Sequence, residues 1–140
     1  MTTSQVETVG TVRPEVVELL ISADSHVIED PELWKTRLPA AFRDSAPDYP
    51  ALSVGGAFQA HPGGHDPHEW IKEMATDGVS GEVLYPSLAM DQYSLEDAAL
   101  QEACFRVYND WIIEYCAAAP DRLFGIGMIS AYDIAGAVAV

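Results

Sequence analysis

Basic side chains are scarce in this sequence. Seven Lys and Arg stand against 22 Asp and Glu, a formal charge of -15 over 140 residues. So acidic a surface repels polyphosphate backbones and anionic lipid, so neither nucleic acid nor membrane is an expected partner. Long apolar runs are missing too; none approaches the roughly eighteen residues needed to span a bilayer. Cysteine occurs only at Cys104 and Cys116, too few for a disulfide framework. Placed twelve apart on one helix, they stand about 18 Å from each other, whereas a disulfide needs Cα atoms within about 7 Å. Both read as buried thiols. Met1–Val12 contains no Lys or Arg, and no apolar core of signal-peptide length follows, so a cytoplasmic location is the default expectation.

What is present is ordinary for a folded domain: 49% hydrophobic and 21% charged residues, enough apolar mass for a core. There is no internal repeat and no low-complexity tract. Residues 1–18 read as a flexible N-terminal segment. Leu19-Leu20-Ile21-Ser22-Ala23 reads as a buried strand. Asp30-Pro31 opens a helix that Leu38-Pro39 stops. From Ala46 to Gly64 the chain is rich in proline and glycine, a long excursion with room for a short strand at Leu52–Val54. Asp66-Pro67-His68-Glu69 is the next helix start, with Glu69 set to reach back as a capping box and Gly78 placed to end the helix.

Gly81–Pro86 reads as a second strand. Ser94–Asp97 opens the longest helix, with Ala98, Phe105, Trp111, Ile112 and Tyr115 on its apolar face and Pro120 beyond its end. Leu123–Ile129 reads as a third strand. Strands alternating with helices predict an α/β protein with a parallel sheet. Asp133 resembles one further helix cap. The apolar stretch Ile134–Val140 after it has no glycine cap, basic last turn or polar tail, the pattern of a chain cut within a helix.

The chemistry-bearing feature is Ser22-Ala23-Asp24-Ser25-His26. Residues two apart in a strand share a side. Asp24 and His26 are therefore expected to project together into one cleft at the carboxyl end of a parallel strand, where α/β folds build their sites. One carboxylate oxygen and one imidazole nitrogen on one side suit a divalent metal; the plainer alternative is an Asp capping a turn beside a bystander His. His61, His65 and His68 form a second cluster. It lacks a fourth ligand at structural-zinc spacing and reads as loop histidines, with His65 able to line a cleft. Tyr85-Pro86-Ser87 closes the second strand at the same end. Trp34 reads as helix packing, and the Gly-Gly pairs match no phosphate loop because no G-K-[ST] follows.

Taken in order, several segments together resemble a known family. Ser22–Trp34, Arg37-Leu38-Pro39 and Phe42–Pro47 form its opening. Gly64–Pro67, Met74, Asp77-Gly78-Val79 and Val83–Ser87 continue it, followed by Tyr108–Trp111, Pro120–Leu123 and Gly125. The set is similar to the amidohydrolase-related family, which includes aminocarboxymuconate-semialdehyde and resorcylate-type decarboxylases, and spans nearly all of residues 19–140. The resemblance implies the N-terminal portion, about three βα units, of a (β/α)8 TIM-like barrel. It also implies that Asp24 and His26 stand at the family's first-strand metal motif. The implied cofactor is one divalent ion, zinc or manganese, with Asp at the first position favouring a harder ion.

The implied reaction is metal-assisted hydrolysis, or non-oxidative decarboxylation, of a small carboxylic acid. The family takes its remaining ligands after the fifth, sixth and eighth strands, which 140 residues do not reach, since a barrel takes about 250. A truncated chain, inactive alone, is thus the expectation. Its implied partners are a small-molecule substrate and either further copies of itself or a complementing C-terminal half. The alternative is a non-catalytic remnant or interaction module of the same fold. The residues carry no distinction between hydrolysis and decarboxylation and name no catalytic acid or base.

Overall fold

The computed structural model describes residues 18–49, 62–132 and 134–138. Three strands, β1 (Ile21–His26), β2 (Gly81–Tyr85) and β3 (Leu123–Gly125), form a parallel sheet in the order β1-β2-β3. The helices are α1 (Leu33–Arg37), α2 (Pro67–Asp77), α3 (Leu88–Asp91), α4 (Ala98–Cys116) and α5 (Ile134–Val138). This is the mixed α/β class expected from the alternation of patterns. Residues 1–17, 50–61, 133 and 139–140 lie outside the description. With them go most of the N-terminal segment, the strand expected at Leu52–Val54, the cap expected at Asp133, and His61.

Local chemistry sets most element ends. Asp66 caps α2 by accepting from His68 N at 2.9 Å, Pro67 occupies the first helical position, and Gly78 closes the helix at φ 72°. A residue other than glycine is strained there, so Gly78→Ala is expected to lower unfolding free energy by about 1–2 kcal/mol in urea titrations. The expected capping box does not form. The Asp66 amide donates to Pro62 O, and Glu69 pairs with Lys72. One helix start also moves. Asp30 accepts from Glu32 N in a turn, so α1 begins only at Leu33. Asp97, the last residue of the expected Ser94–Asp97 opening, caps α4, accepting from Ala99 N and Leu100 N.

The core lies between the sheet and α4. That helix buries Leu100, Cys104, Phe105, Val107, Tyr108, Trp111, Ile112 and Tyr115, a continuous i, i+3/i+4 stripe. Ala98, expected on that face, is exposed. Trp34 of α1 is fully buried, and its indole donates to Cys104 O at 3.1 Å. Cys104 and Cys116 are free thiols on one helix, and burial pushes Cys104 up to about 12.

Register divides the sheet into two faces. Paired residues of parallel strands share a face, and the pairs are Ser22 with Glu82, Glu82 with Leu123, and Leu84 with Gly125. This is the covered face: Trp70 of α2 donates to Glu82 at 3.2 Å, and Ile112 and Cys116 of α4 lie against Gly125. Both helices that connect the strands therefore pack on one side. The other face carries Ile21, Val83, Phe124, Tyr85 and His26, with Ile21 51% and Phe124 47% exposed. A Cβ on Gly81 would meet Ile21 and Phe124 within 3.4 Å, which puts all three on this open side.

Two strand expectations need correction. The first strand is Ile21–His26 rather than Leu19–Ala23, and it is not buried: Leu19, Leu20 and Ile21 are exposed. It extends further because Ser25 and His26 still pair with Leu84 and Tyr85, across a register irregularity after Ser22. The third strand is three residues long, not seven. Ile126 N reaches Leu84 O, but beyond that β2 gives way to Pro86, which has no N–H. Side chains of α4 hold the next residues instead. Tyr108 donates to Ile126 O, and Asn109 bonds both Met128 N and Met128 O.

Candidate metal site at the carboxyl end of the sheet

Asp24 and His26 flank Ser25 at the end of β1, and they do project together. His26 Nε2 lies 3.7 Å from Asp24 Oδ1. That is too long for a direct hydrogen bond. Two ligands of one ion, each about 2.1 Å from it and at a tetrahedral angle, stand about 3.4 Å apart. The observed gap is close to that edge length, so a carboxylate oxygen and an imidazole nitrogen stand at a spacing a divalent ion can bridge. The side chains are 89% exposed for Asp24 and 45% for His26. The pair therefore opens onto the uncovered sheet face, not into the cleft expected from sequence.

The imidazole is oriented by the end of β2. His26 Nδ1 lies 3.0 Å from Pro86 O. A carbonyl only accepts, so Nδ1 carries the proton and a neutral ring keeps its lone pair on Nε2, toward Asp24. The backbone explains why Pro86 O is available. Val27 N donates to Tyr85 O, but the next donor of the ladder, Ser87 N, goes to the Glu29 carboxylate. β1 thus leaves β2 after Val27, and the His26 side chain takes the next acceptor. Tyr85 stacks on His26, with ring centroids 5.6 Å apart and planes 28° from parallel.

Glu29, three residues on, was not singled out by sequence reading. It is fully buried, and its carboxylate accepts from Ser87 N, Leu88 N and Ala89 N at 2.8–3.3 Å, closing the start of α3. Burial raises its pKa above the ordinary carboxylate value, while the backbone N–H bonds work in the opposite direction. Its signal in the sequence was the alternation Val27-Ile28-Glu29, which places Glu29 on the same inward side as buried Val27. The carboxylate is engaged by backbone donors and acts as a brace between the ends of β1 and β2.

Of the histidine cluster, His65 and His68 lie within the described residues and His61 outside them. His65 and His68 are both exposed, and the His68 amide is engaged by the Asp66 cap. Among the described residues no three His, Cys, Asp or Glu side chains converge on a common point. Among them, too, no helix is long and apolar enough to cross a membrane.

No protein-family model matches the chain, and no curated protein matches it.

Proposed function

We propose that this chain supplies the first metal ligands, Asp24 and His26, of a (β/α)8-type metal-dependent enzyme acting on a small carboxylic acid by hydrolysis or non-oxidative decarboxylation. The observation that carries this reading is the Asp24–His26 pair, 3.7 Å apart, with Nδ1 engaged by Pro86 O. The sheet supports the barrel part of the reading. Its order is sequential and parallel, its connecting helices cover one face, and its open face is apolar, as the lining of a barrel would be.

Asp24 contributes an anionic oxygen that offsets cationic charge, and His26 contributes a neutral nitrogen. A divalent ion held there, zinc or manganese, supplies Lewis-acid chemistry. Val83 and Tyr85 of β2, with Phe124 paired to Val83, offer apolar surface on the same face toward the His26 end, suited to the hydrocarbon part of a small substrate. Catalytic sites normally use three or four protein ligands, so the reading requires further ligands beyond Asp24 and His26. A second reading, a non-catalytic interaction module, is favoured by the absence of a third converging ligand among the described residues.

Calorimetric titration with ZnCl2 and MnCl2 tests the proposal. The chain is expected to bind one ion, and Asp24→Ala or His26→Ala is expected to weaken binding by more than about tenfold. Turnover of carboxylic acids is expected only when the complementing part is present. Equal affinity in wild type and both variants, or no binding at all, would favour the interaction module.

A further inference from the structure

We infer that Tyr85 is a positioning residue, whose ring holds the His26 imidazole in the orientation and tautomer that a metal ion requires. The inference rests on the Asp24–His26 reading for its function, but its geometry stands independently. Tyr85 and Pro86 are consecutive at the end of β2, and they grip one imidazole in two ways. The Pro86 carbonyl takes Nδ1–H at 3.0 Å, and the Tyr85 ring lies nearly parallel at 5.6 Å. Register brings this about: His26 pairs directly with Tyr85 in the parallel ladder, so both side chains leave the sheet on the same open face.

A hydrogen bond to Nδ1 alone leaves the ring free to swing about that contact. The His26 side chain is 45% exposed, with Asp24 on its Nε2 side and the Tyr85 ring against its face. The half-buried Tyr85 ring removes the swing on one side. It keeps the imidazole plane in place, with Nε2 toward Asp24. The carbonyl is backbone and cannot be altered by substitution, which leaves Tyr85 as the adjustable half of the grip. The contribution comes from the aromatic face, not the hydroxyl, because stacking uses the ring. Groups that orient a metal-binding histidine typically change metal affinity about 10–100-fold when removed.

The test uses the 15N-labelled full chain with two separate readouts. Ring 15N shifts of His26 report the tautomer without any metal. Zn2+ titration reports affinity. In wild type the Nδ1–H form is expected to dominate. Tyr85→Ala is expected to give a mixture of tautomers and at least about tenfold weaker Zn2+ binding. Tyr85→Phe is expected to restore both, with affinity within about twofold of wild type. Tyr85→Leu, which keeps apolar bulk without an aromatic face, serves as the second variant should Tyr85→Ala unfold, and is expected to behave as the alanine does.

Wild-type tautomer and affinity in Tyr85→Ala or Tyr85→Leu would overturn the inference. So would a Tyr85→Phe variant as impaired as the alanine, which would transfer the role to the hydroxyl. If wild type binds no Zn2+ but its tautomer still depends on the ring at position 85, the metal reading fails while the positioning role stands.

Discussion

Glu29→Ala is expected to lower the unfolding free energy by about 3–5 kcal/mol, the scale seen when one partner of a buried charged interaction is removed. The side chain is fully buried and its two oxygens serve three backbone N–H groups, those of Ser87, Leu88 and Ala89. Truncation strands these donors, each at about 1–3 kcal/mol when buried, and opens a cavity. Against a typical total of about 5–15 kcal/mol, this consumes much of the margin. Glu29→Gln keeps the shape but turns an amide NH2 toward N–H donors, so a smaller loss of about 2 kcal/mol is expected.

The pH dependence has a definite sign. Burial raises the folded-state pKa of Glu29 above 4.5, so the folded chain binds this proton more tightly than the unfolded chain. Stability from this group is fully present below the unfolded value and is lost as pH rises through the folded one. The gap between wild type and Glu29→Gln is therefore expected to be widest near pH 4 and to narrow toward neutrality. Urea unfolding of both proteins across that range measures it. The other carboxylates titrate in both proteins and cancel in the difference. A gap that widens toward neutral pH would mean that the N–H bonds outweigh burial.

Which features were legible in the sequence follows from how far away the deciding partner lies. Asp66, Pro67 and Gly78 set the ends of α2 through contacts within a few residues, and they read correctly. The i, i+2 spacing of Asp24 and His26 fixes their shared side through strand geometry alone. Glu29 has partners 58 to 60 residues away, and no local pattern announces them. The third strand was read too long because its apolar run continues past Gly125. Its actual end depends on Pro86 in the neighbouring strand and on Tyr108 and Asn109 reaching over from α4. The start of α4 falls at the end of the expected Ser94–Asp97 opening, where the 3-10 turn over Gln92–Ser94 leaves Asp97 as the cap. The orientation of His26 is likewise a tertiary matter, since the ring nitrogen borrows a carbonyl left over where two strands part.

The sheet and α4 approach closely at Gly125, and Gly125→Ala is expected to destabilise the fold by overpacking. A Cβ there would lie 2.4 Å from Ile112 Cγ1 and 3.2 Å from Cys116 Sγ. The first distance is far inside van der Waals contact, and Ile112 is buried on a helix pinned along its length by Trp34, Tyr108, Asn109 and Tyr115. The helix has little freedom to withdraw. A loss of about 1–3 kcal/mol is expected, with Gly125→Val at or beyond the upper end. Ile112→Ala alone creates a cavity and is expected to cost about 2–5 kcal/mol. Together the two changes exchange a clash for a filled void, so Gly125→Ala with Ile112→Ala is expected to cost less than the sum of the singles. The coupling should reach about 1 kcal/mol or more, within the range for residues in direct contact. Denaturant unfolding of the four proteins in the cycle measures it. Additive losses would show that α4 shifts bodily to absorb the methyl group and that its side-chain clasps to the Ile126–Ser130 segment yield more easily than their number implies. A large coupling would make Gly125 the point at which the helix, the third strand and the segment beyond it hold a common position relative to the Asp24–His26 end of the sheet.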